Sequence, residues 1–281
     1  MKFSEMKYER PDVEAAKAEI ASLTAKLASA QGFGEAEGVF LEAETLKKHL
    51  FTMQSLAEVR HTIDTRDEFY DAEVKFWNVA FPELQEYYQK WTLALLHSPF
   101  RKEFEEKYGR IVFVNAEIAL KAFSPAIIPE LQQEAALVQE YEKLLASAQI
   151  PFNGGTYTIA QLGKYKNDAD DDIRLAAWKA EGKWYKDNQA KLDELYDKLV
   201  HLRDAMGKKL GYKDFTELGY YRMGRNCYAK EDVEKFRAAV VKYLVPVVDG
   251  IHRAQAMRIG KEYPLSFADN VMKFRSGNPK P

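Results

Sequence analysis

Hydrophobic residues recur at steps of three and four along most of the chain, which is the period of an α-helix packed on one face. The first run follows Asp12 and consists of Val13, Ala16, Ile20, Leu23 and Leu27. The second run follows a loop with two glycines and consists of Val39, Ala43, Leu46, Leu50, Met53 and Ala57. Two such stripes joined by a glycine-containing loop predict an antiparallel helical hairpin.

The same period continues beyond this hairpin. Helices are predicted over 67–80 and 82–96, after Ser98-Pro99, after Ser124-Pro125, over 191–210 and over 231–260. Serine followed by proline is typical of a helix start, because serine caps the helix and proline suits its first turn. Pro246 predicts a kink in the last helix. The fold class is therefore mostly α.

Two segments depart from the helical period. Asn153-Gly154-Gly155 lies between apolar residues and predicts a small β-hairpin near 150–159, since these residues tolerate positive φ in a tight turn. Val271–Arg275 alternates between apolar and basic residues before Ser276–Pro279, which predicts a strand followed by a turn. We expect that strand to present an unpaired edge to other molecules.

Composition excludes several classes of protein. The chain has 281 residues, of which 46% are hydrophobic and 30% are charged, and these values are typical of a globular protein. A net charge of −2 predicts no nucleic-acid partner, and the short apolar runs predict no membrane span. The single cysteine, Cys227, excludes a disulfide framework within the chain. We expect a cytoplasmic protein.

No local motif for catalysis or metal binding is present. None of the five histidines is followed by glutamate, so the sequence contains no HExxH zinc motif. It also lacks the G-x-S-x-G turn of serine hydrolases and the glycine-rich loop that binds phosphates. We therefore predict no catalytic residue and no metal ligand in this chain.

Two polar stretches are candidates for a binding surface. In RHTIDTRDEFYDAE, Arg60, His61 and Asp64 lie where one helix should give way to the next. They either brace the corner through buried ion pairs or line a polar cleft.

The other stretch is GKKLGYKDFTELGYYRMGR. It contributes Tyr220, Tyr221, Arg222 and Arg225, whose donors suit a peptide backbone or a carboxylate but also suit packing between helices.

These stretches, taken in order, resemble the N-terminal part of oligoendopeptidase F, in the Pz-peptidase branch of the zinc metallopeptidases that include thimet oligopeptidase. The resemblance also rests on YERPD, HSPFRKEFEEKYG, LKAFSPAIIPELQQEAALVQEYEKLLASAQIPF and the closing FRSGNPKP. No one of these segments is decisive, but their order along nearly the whole chain makes the resemblance specific.

The resemblance implies a helical clam-shell peptidase that cleaves oligopeptides in an enclosed channel. Because they cluster in the two polar stretches, we expect seven residues to lie nearest that channel: Arg60, His61, Asp64, Tyr220, Tyr221, Arg222 and Arg225. In that family an HExxH helix and a later glutamate hold zinc, and the glutamate of the motif activates a zinc-bound water. That helix lies beyond the part of the family that this chain resembles. The resemblance therefore implies zinc and oligopeptide substrates for the full-length enzyme, and no bound zinc for this chain.

The expectation is thus a truncated metalloprotease, inactive by itself. Residues 1–110 would form the helical hairpin and following helices, and 111–281 a helical scaffold leading into a catalytic domain absent from this chain. The segment would supply channel wall, and surface exposed by truncation would allow self-association. The alternative is an autonomous helical protein that binds peptides or acts as a scaffold without catalytic activity.

Overall fold

The structure is a computed structural model that describes residues 2–279. The chain is mostly helical, as the sequence predicts. Its α-helices are α1 Val13–Ser29, α2 Phe33–Ile63, α3 Glu68–Leu96, α4 Arg101–Tyr108, α5 Ile111–Ala122, α6 Ile128–Ala146, α7 Gly163–Lys166, α8 Asp171–Asp187, α9 Gln189–Lys209, α10 Phe215–Arg222, α11 Lys230–Ala239 and α12 Val245–Ile259. Its strands are β1 Ile150–Phe152 and β2 Gly155–Tyr157, which pair antiparallel.

Contacts group the chain into two compact units. The first contains the residues up to Glu140 together with Asp197–Cys227, and the second contains Tyr141–Tyr196 together with the chain from Tyr228 onward. Along the sequence, Tyr141–Tyr196 interrupts the first unit. The two ends of this segment fall inside helices α6 and α9. The predicted division after residue 110 stays a prediction.

The first unit is built on α1, α2 and α3, which pack on one another along their apolar faces. Asp12 caps α1 by accepting a hydrogen bond from the Ala15 amide, so the chain enters the helix where the apolar period begins. The predicted hairpin of α1 and α2 is present. The prediction of two helices in 67–96 is wrong, since α3 runs through Pro82, which is buried among its neighbours.

Apolar contacts also hold α10 in the first unit, next to α5 and α9. Ile127, Met206 and Leu218 are fully buried in one cluster that connects the turn before α6 to α9 and α10. The chain leaves α9 through Gly211, whose φ of 85° is readily adopted only by glycine. The residues at the end of α10 therefore take fixed positions on this unit.

Gly207 in α9 is required by the close approach of the backbone before α10. A Cβ atom at Gly207 would lie 2.5 Å from the carbonyl oxygen of Asp214 and 2.8 Å from its carbonyl carbon, and backbone atoms cannot move aside easily. We expect Gly207→Ala to destabilise the protein by about 1–3 kcal/mol. Urea unfolding followed by circular dichroism measures this change.

Gly182 in α8 provides the matched control. It also lies inside a helix, but a Cβ atom there would meet nothing within 4 Å. Gly182→Ala should stabilise the protein by about 0.5–1 kcal/mol, because alanine loses less backbone entropy in a helix. Equal effects of the two substitutions would contradict the close approach at Gly207.

In the second unit, the predicted β-hairpin is confirmed. Ile150 pairs with Tyr157 and Phe152 with Gly155. The turn places Asn153 at φ 46° and Gly154 at φ 75°, the left-handed conformation expected from an Asn-Gly pair. Ile150 is buried with Ala148 and Leu162, which fixes the hairpin on this unit.

The predicted strand at Val271–Arg275 is wrong, since these residues form turns and bends. Side chains satisfy the backbone groups that a strand would pair with a neighbour. Gln255 donates to the carbonyl of Met272, Arg258 donates to the carbonyl of Lys273, and Asn278 bonds both Val271 and Lys273. Helix α12 and the following turn therefore take the place of a partner strand.

The helix predicted over 231–260 is not a continuous α-helix, because it contains a π-helical turn. A π-helical turn over Val240–Leu244 joins α11 to α12, and the amide of Val245 donates to the carbonyl of Val240. Pro246 follows in the first turn of α12, where its missing N–H costs least.

Within residues 2–279, no single helix is both long and apolar enough to cross a membrane. One bent pair, Ile111–Ala122 with Pro125–Ala146, meets the length and composition criteria when its two helices are taken together.

Candidate functional site

A cavity of about 680 Å³ lies in the first unit. Helices α2, α3, α5 and α6 and the end of α10 supply its walls. Its aromatic and large aliphatic lining residues are Phe51, Phe81, Tyr88, Trp91, Ile118, Leu120, Phe123, Leu131 and Tyr221. Its charged and amide-bearing lining residues are Lys47, Gln85, Gln89, Asn115, Arg222 and Asn226. Apolar walls with a few placed polar groups are characteristic of binding sites for small ligands or peptide segments.

Arg222 is held at the edge of this cavity by a buried carboxylate. Arg222 donates two hydrogen bonds to Glu134, of 2.7 and 3.2 Å, and Arg203 donates a third of 2.6 Å. Burial alone would raise the pKa of Glu134, but the two guanidinium groups outweigh it and lower the pKa of this carboxyl. Glu134 therefore stays ionised at neutral pH and fixes the orientation of Arg222.

The tyrosines of α10 have partners on the same unit. Tyr221 donates to Glu217 over 3.0 Å, and its ring lies 5.9 Å from that of Tyr212. Burial and the neighbouring Glu217 raise the pKa of Tyr221, which keeps the hydroxyl protonated. The guanidinium of Arg225 lies 4.1 Å from the centre of the Tyr220 ring, a cation–π contact.

Arg60 and His61 make internal contacts at the corner between α2 and α3. Arg60 donates to the Tyr70 hydroxyl over 2.6 Å and to the carbonyl of Met6. His61 is buried, and its Nε2 lies 3.3 Å from Asp71 Oδ1 without making a hydrogen bond to any described residue. These contacts favour the alternative in which the corner is a brace.

Asp64 has a different environment from its two neighbours. It pairs with Arg66 at 2.9 Å in a partly solvated position, and the hydrogen bonds from Arg66 lower the pKa of Asp64 to about 2. The carboxylate is thus ionised at any physiological pH.

The structure brings together only part of the predicted set of site residues. Tyr221 and Arg222 line the cavity, together with Gly224 of the same stretch and Asn226 directly after it. Among the described residues that line it, the cavity includes none of Arg60, His61, Asp64, Tyr220 or Arg225. The placement of all seven residues beside a substrate channel stays a prediction.

Sequence reasoning missed most of the walls of the cavity. Phe81, Tyr88 and Trp91 lie on the amphipathic helix α3, where the favoured interpretation of an aromatic residue is core packing. Asn115 carries no motif of its own. The one available signal was the amide- and aromatic-rich composition of α3 between Phe81 and Trp91.

The described residues contain no group of three or more His, Cys, Asp or Glu side chains placed to hold a metal ion. The expected lack of a catalytic metal in this chain stays a prediction that metal analysis can test.

Comparison with known proteins identifies relatives along the whole chain. A family model of the Peptidase M3 N-terminal domain matches residues 3–123. An X-ray structure described as oligoendopeptidase F is 38% identical with a TM-score of 0.96, covering 100% of this chain and 50% of that one. Pz peptidase A with an inhibitor is 40% identical with a TM-score of 0.95, covering 99% and 49%.

A further structure, described as an oligoendopeptidase F of Bacillus anthracis str. Ames, is 37% identical with a TM-score of 0.95 and covers 100% of this chain and 52% of that one. The chain thus spans about half the length of the solved structures it matches. The search of curated proteins returned no match. The chain belongs to the M3 peptidase family, in the branch of oligoendopeptidase F and Pz peptidase, and it carries the family's N-terminal domain.

Proposed function

We propose that this chain is the N-terminal segment of a zinc-dependent oligoendopeptidase, and that it forms channel wall and scaffold for the hydrolysis of oligopeptides. The observation that carries the proposal is the extent of the match. Identity of 37–40% runs along 99–100% of this chain but along only about half of each relative. The other half of the relatives is where we place the zinc ligands and the catalytic glutamate.

In this proposal the residues of the chain bind and orient the peptide and exclude water. The cavity in the first unit offers aromatic walls for side chains and amide groups for the peptide backbone. Zinc, when held by the other half of the enzyme, would supply a polarised water for attack on the scissile carbonyl. The residues described in this chain take no part in that proton transfer. We place the whole enzyme in the cytoplasm.

Exposed apolar side chains in the second unit support the scaffold role. On α11, the π-helical turn and α12, several large apolar side chains are more than half exposed: Phe236, Val241, Tyr243, Leu244, Val245, Val247, Ile251 and Met257. Exposed apolar surface of this extent marks a site of protein contact. We propose that it packs against the remaining half of the family polypeptide.

Without that half, the same exposed apolar surface would join copies of this chain. Light scattering of the purified chain should then show dimers or larger species, and Val247→Glu with Ile251→Glu should make it monomeric. A chain that is monomeric before substitution would contradict the proposed self-association.

The alternative proposal is an autonomous helical protein that binds peptides or acts as a scaffold without catalytic activity. The two proposals differ in what the messenger RNA encodes after the codon for Pro281. A reading frame that continues into an HExxH helix would support the oligoendopeptidase segment. A native stop codon, with no separately encoded HExxH partner, would favour the autonomous protein.

A further inference from the structure

The walls of the cavity in the first unit suit a flat apolar group. Phe51 and Phe81 meet edge to face, with ring centres 5.2 Å apart, and Trp91 and Phe123 lie along the same cavity. Aromatic rings favour such edge-to-face and offset contacts with one another. A volume of about 680 Å³ admits an aromatic side chain together with the backbone that carries it.

The charged groups at the cavity are neutralised by the protein itself. Arg222 is paired with Glu134, and Lys47 lies 3.6 Å from Glu44. A free carboxylate would therefore meet little uncompensated positive charge. The lining instead offers amides, since Asn226 donates to Asn115 over 2.6 Å and Gln85 also lines the cavity. Amides match the donors and acceptors of a peptide backbone.

We propose that this cavity is a subsite for an aromatic side chain within an extended, uncharged stretch of peptide. The inference rests on the proposed function for its choice of a peptide as the ligand. It adds the side-chain class that the segment selects.

The test is direct binding of two blocked peptides to the purified chain by isothermal titration calorimetry. The peptides are acetyl-Ala-Phe-Ala-amide and acetyl-Ala-Ala-Ala-amide, which differ only in the central side chain. Burial of the phenyl group should make the first bind about tenfold or more tightly.

Two variants identify the cavity as the place of binding. Ala119 lines the cavity and is exposed, so Ala119→Trp should fill the space without disturbing the core and should abolish selective binding. Ala126, which is exposed and does not line the cavity, provides the control Ala126→Trp, which should bind as the original chain does.

Equal affinity for the two peptides, or selective binding that survives Ala119→Trp, would overturn the subsite. This outcome is distinguishable from failure of the proposed function. If the chain shows no aromatic selectivity but its reading frame continues into an HExxH helix, the subsite is refuted and the role as a peptidase segment is supported. If the chain binds the aromatic peptide selectively but its gene has a native stop codon and no HExxH partner, the subsite is supported and the role as a peptidase segment is refuted.

Discussion

Replacing Arg174 with methionine is expected to lower the free energy of unfolding by about 3–5 kcal/mol, the range for removing one partner of a buried ion pair. Arg174 lies in α8 with only 1% of its surface exposed. Its guanidinium donates to the carbonyls of Asp168 and Ala268 and to the carboxylates of Asp171 and Asp269. It thus joins the start of α8 to the turns after α12, within the second unit.

Methionine keeps most of the volume of Arg174 but none of its donors, so several acceptors would lose their partner at once. Urea unfolding followed by circular dichroism measures the loss. Lys183→Met is the matched control on the same helix, because Lys183 is mostly exposed and pairs only with Asp187 among the described residues. Its unfolding midpoint should stay within error of the original, and an equally small effect at Arg174 would contradict its central position in this unit.

Replacing Glu134 with glutamine should destabilise the first unit by about 2 kcal/mol at pH 7, since it weakens three charge-assisted hydrogen bonds in a buried position. Arg203 and Arg222 are partly exposed and can regain water, so the loss is smaller than at Arg174. Glu142→Gln, at an exposed position of the same helix, should have no measurable effect. A midpoint unchanged by Glu134→Gln would show that the ion pairs contribute nothing.

The pH dependence of the difference between the original chain and Glu134→Gln follows from the lowered pKa of Glu134. A carboxyl group whose pKa is lower in the folded than in the unfolded state stabilises the fold above its unfolded pKa. That contribution is lost as the pH falls through the folded pKa. The original chain should therefore exceed the variant in stability at pH 7, and the difference should shrink in acid. A difference that grows in acid would contradict this account of the carboxylate.

The helical part of the fold was predictable because one signal is repeated many times. The apolar stripe from Val13 to Leu27 and the stripe from Val39 to Ala57 both became buried faces. The Asn153-Gly154 turn was equally predictable, since few residues tolerate its backbone conformation. In both cases the information is local to the segment.

The errors arose where distant side chains decide local structure. Val271–Arg275 alternates like a strand, but Gln255 and Arg258 of α12 satisfy its backbone carbonyls. Pro82 suggested a helix boundary, but packing of α3 keeps the helix continuous through it. No local pattern reports contacts of this kind.

The candidate site was predictable only at its charged edge. Arg222 and Tyr221 lie in a stretch whose density of glycine, tyrosine and arginine is unusual, and both line the cavity. Tyr88 and Trp91 do not differ in sequence from residues of an ordinary helix core. They line the cavity because α5 and α10 leave a space beside α3. Such a space is set by tertiary packing and not by local sequence.

The most direct test of the account is metal analysis of the purified chain, combined with a quenched oligopeptide assay in the presence of added zinc. We place the ligands and the catalytic base in the half of the family chain that this one does not match. We therefore expect less than about 0.1 equivalent of bound zinc and no turnover above the rate in buffer. One equivalent of tightly bound zinc together with peptide cleavage, both lost on chelation, would contradict it.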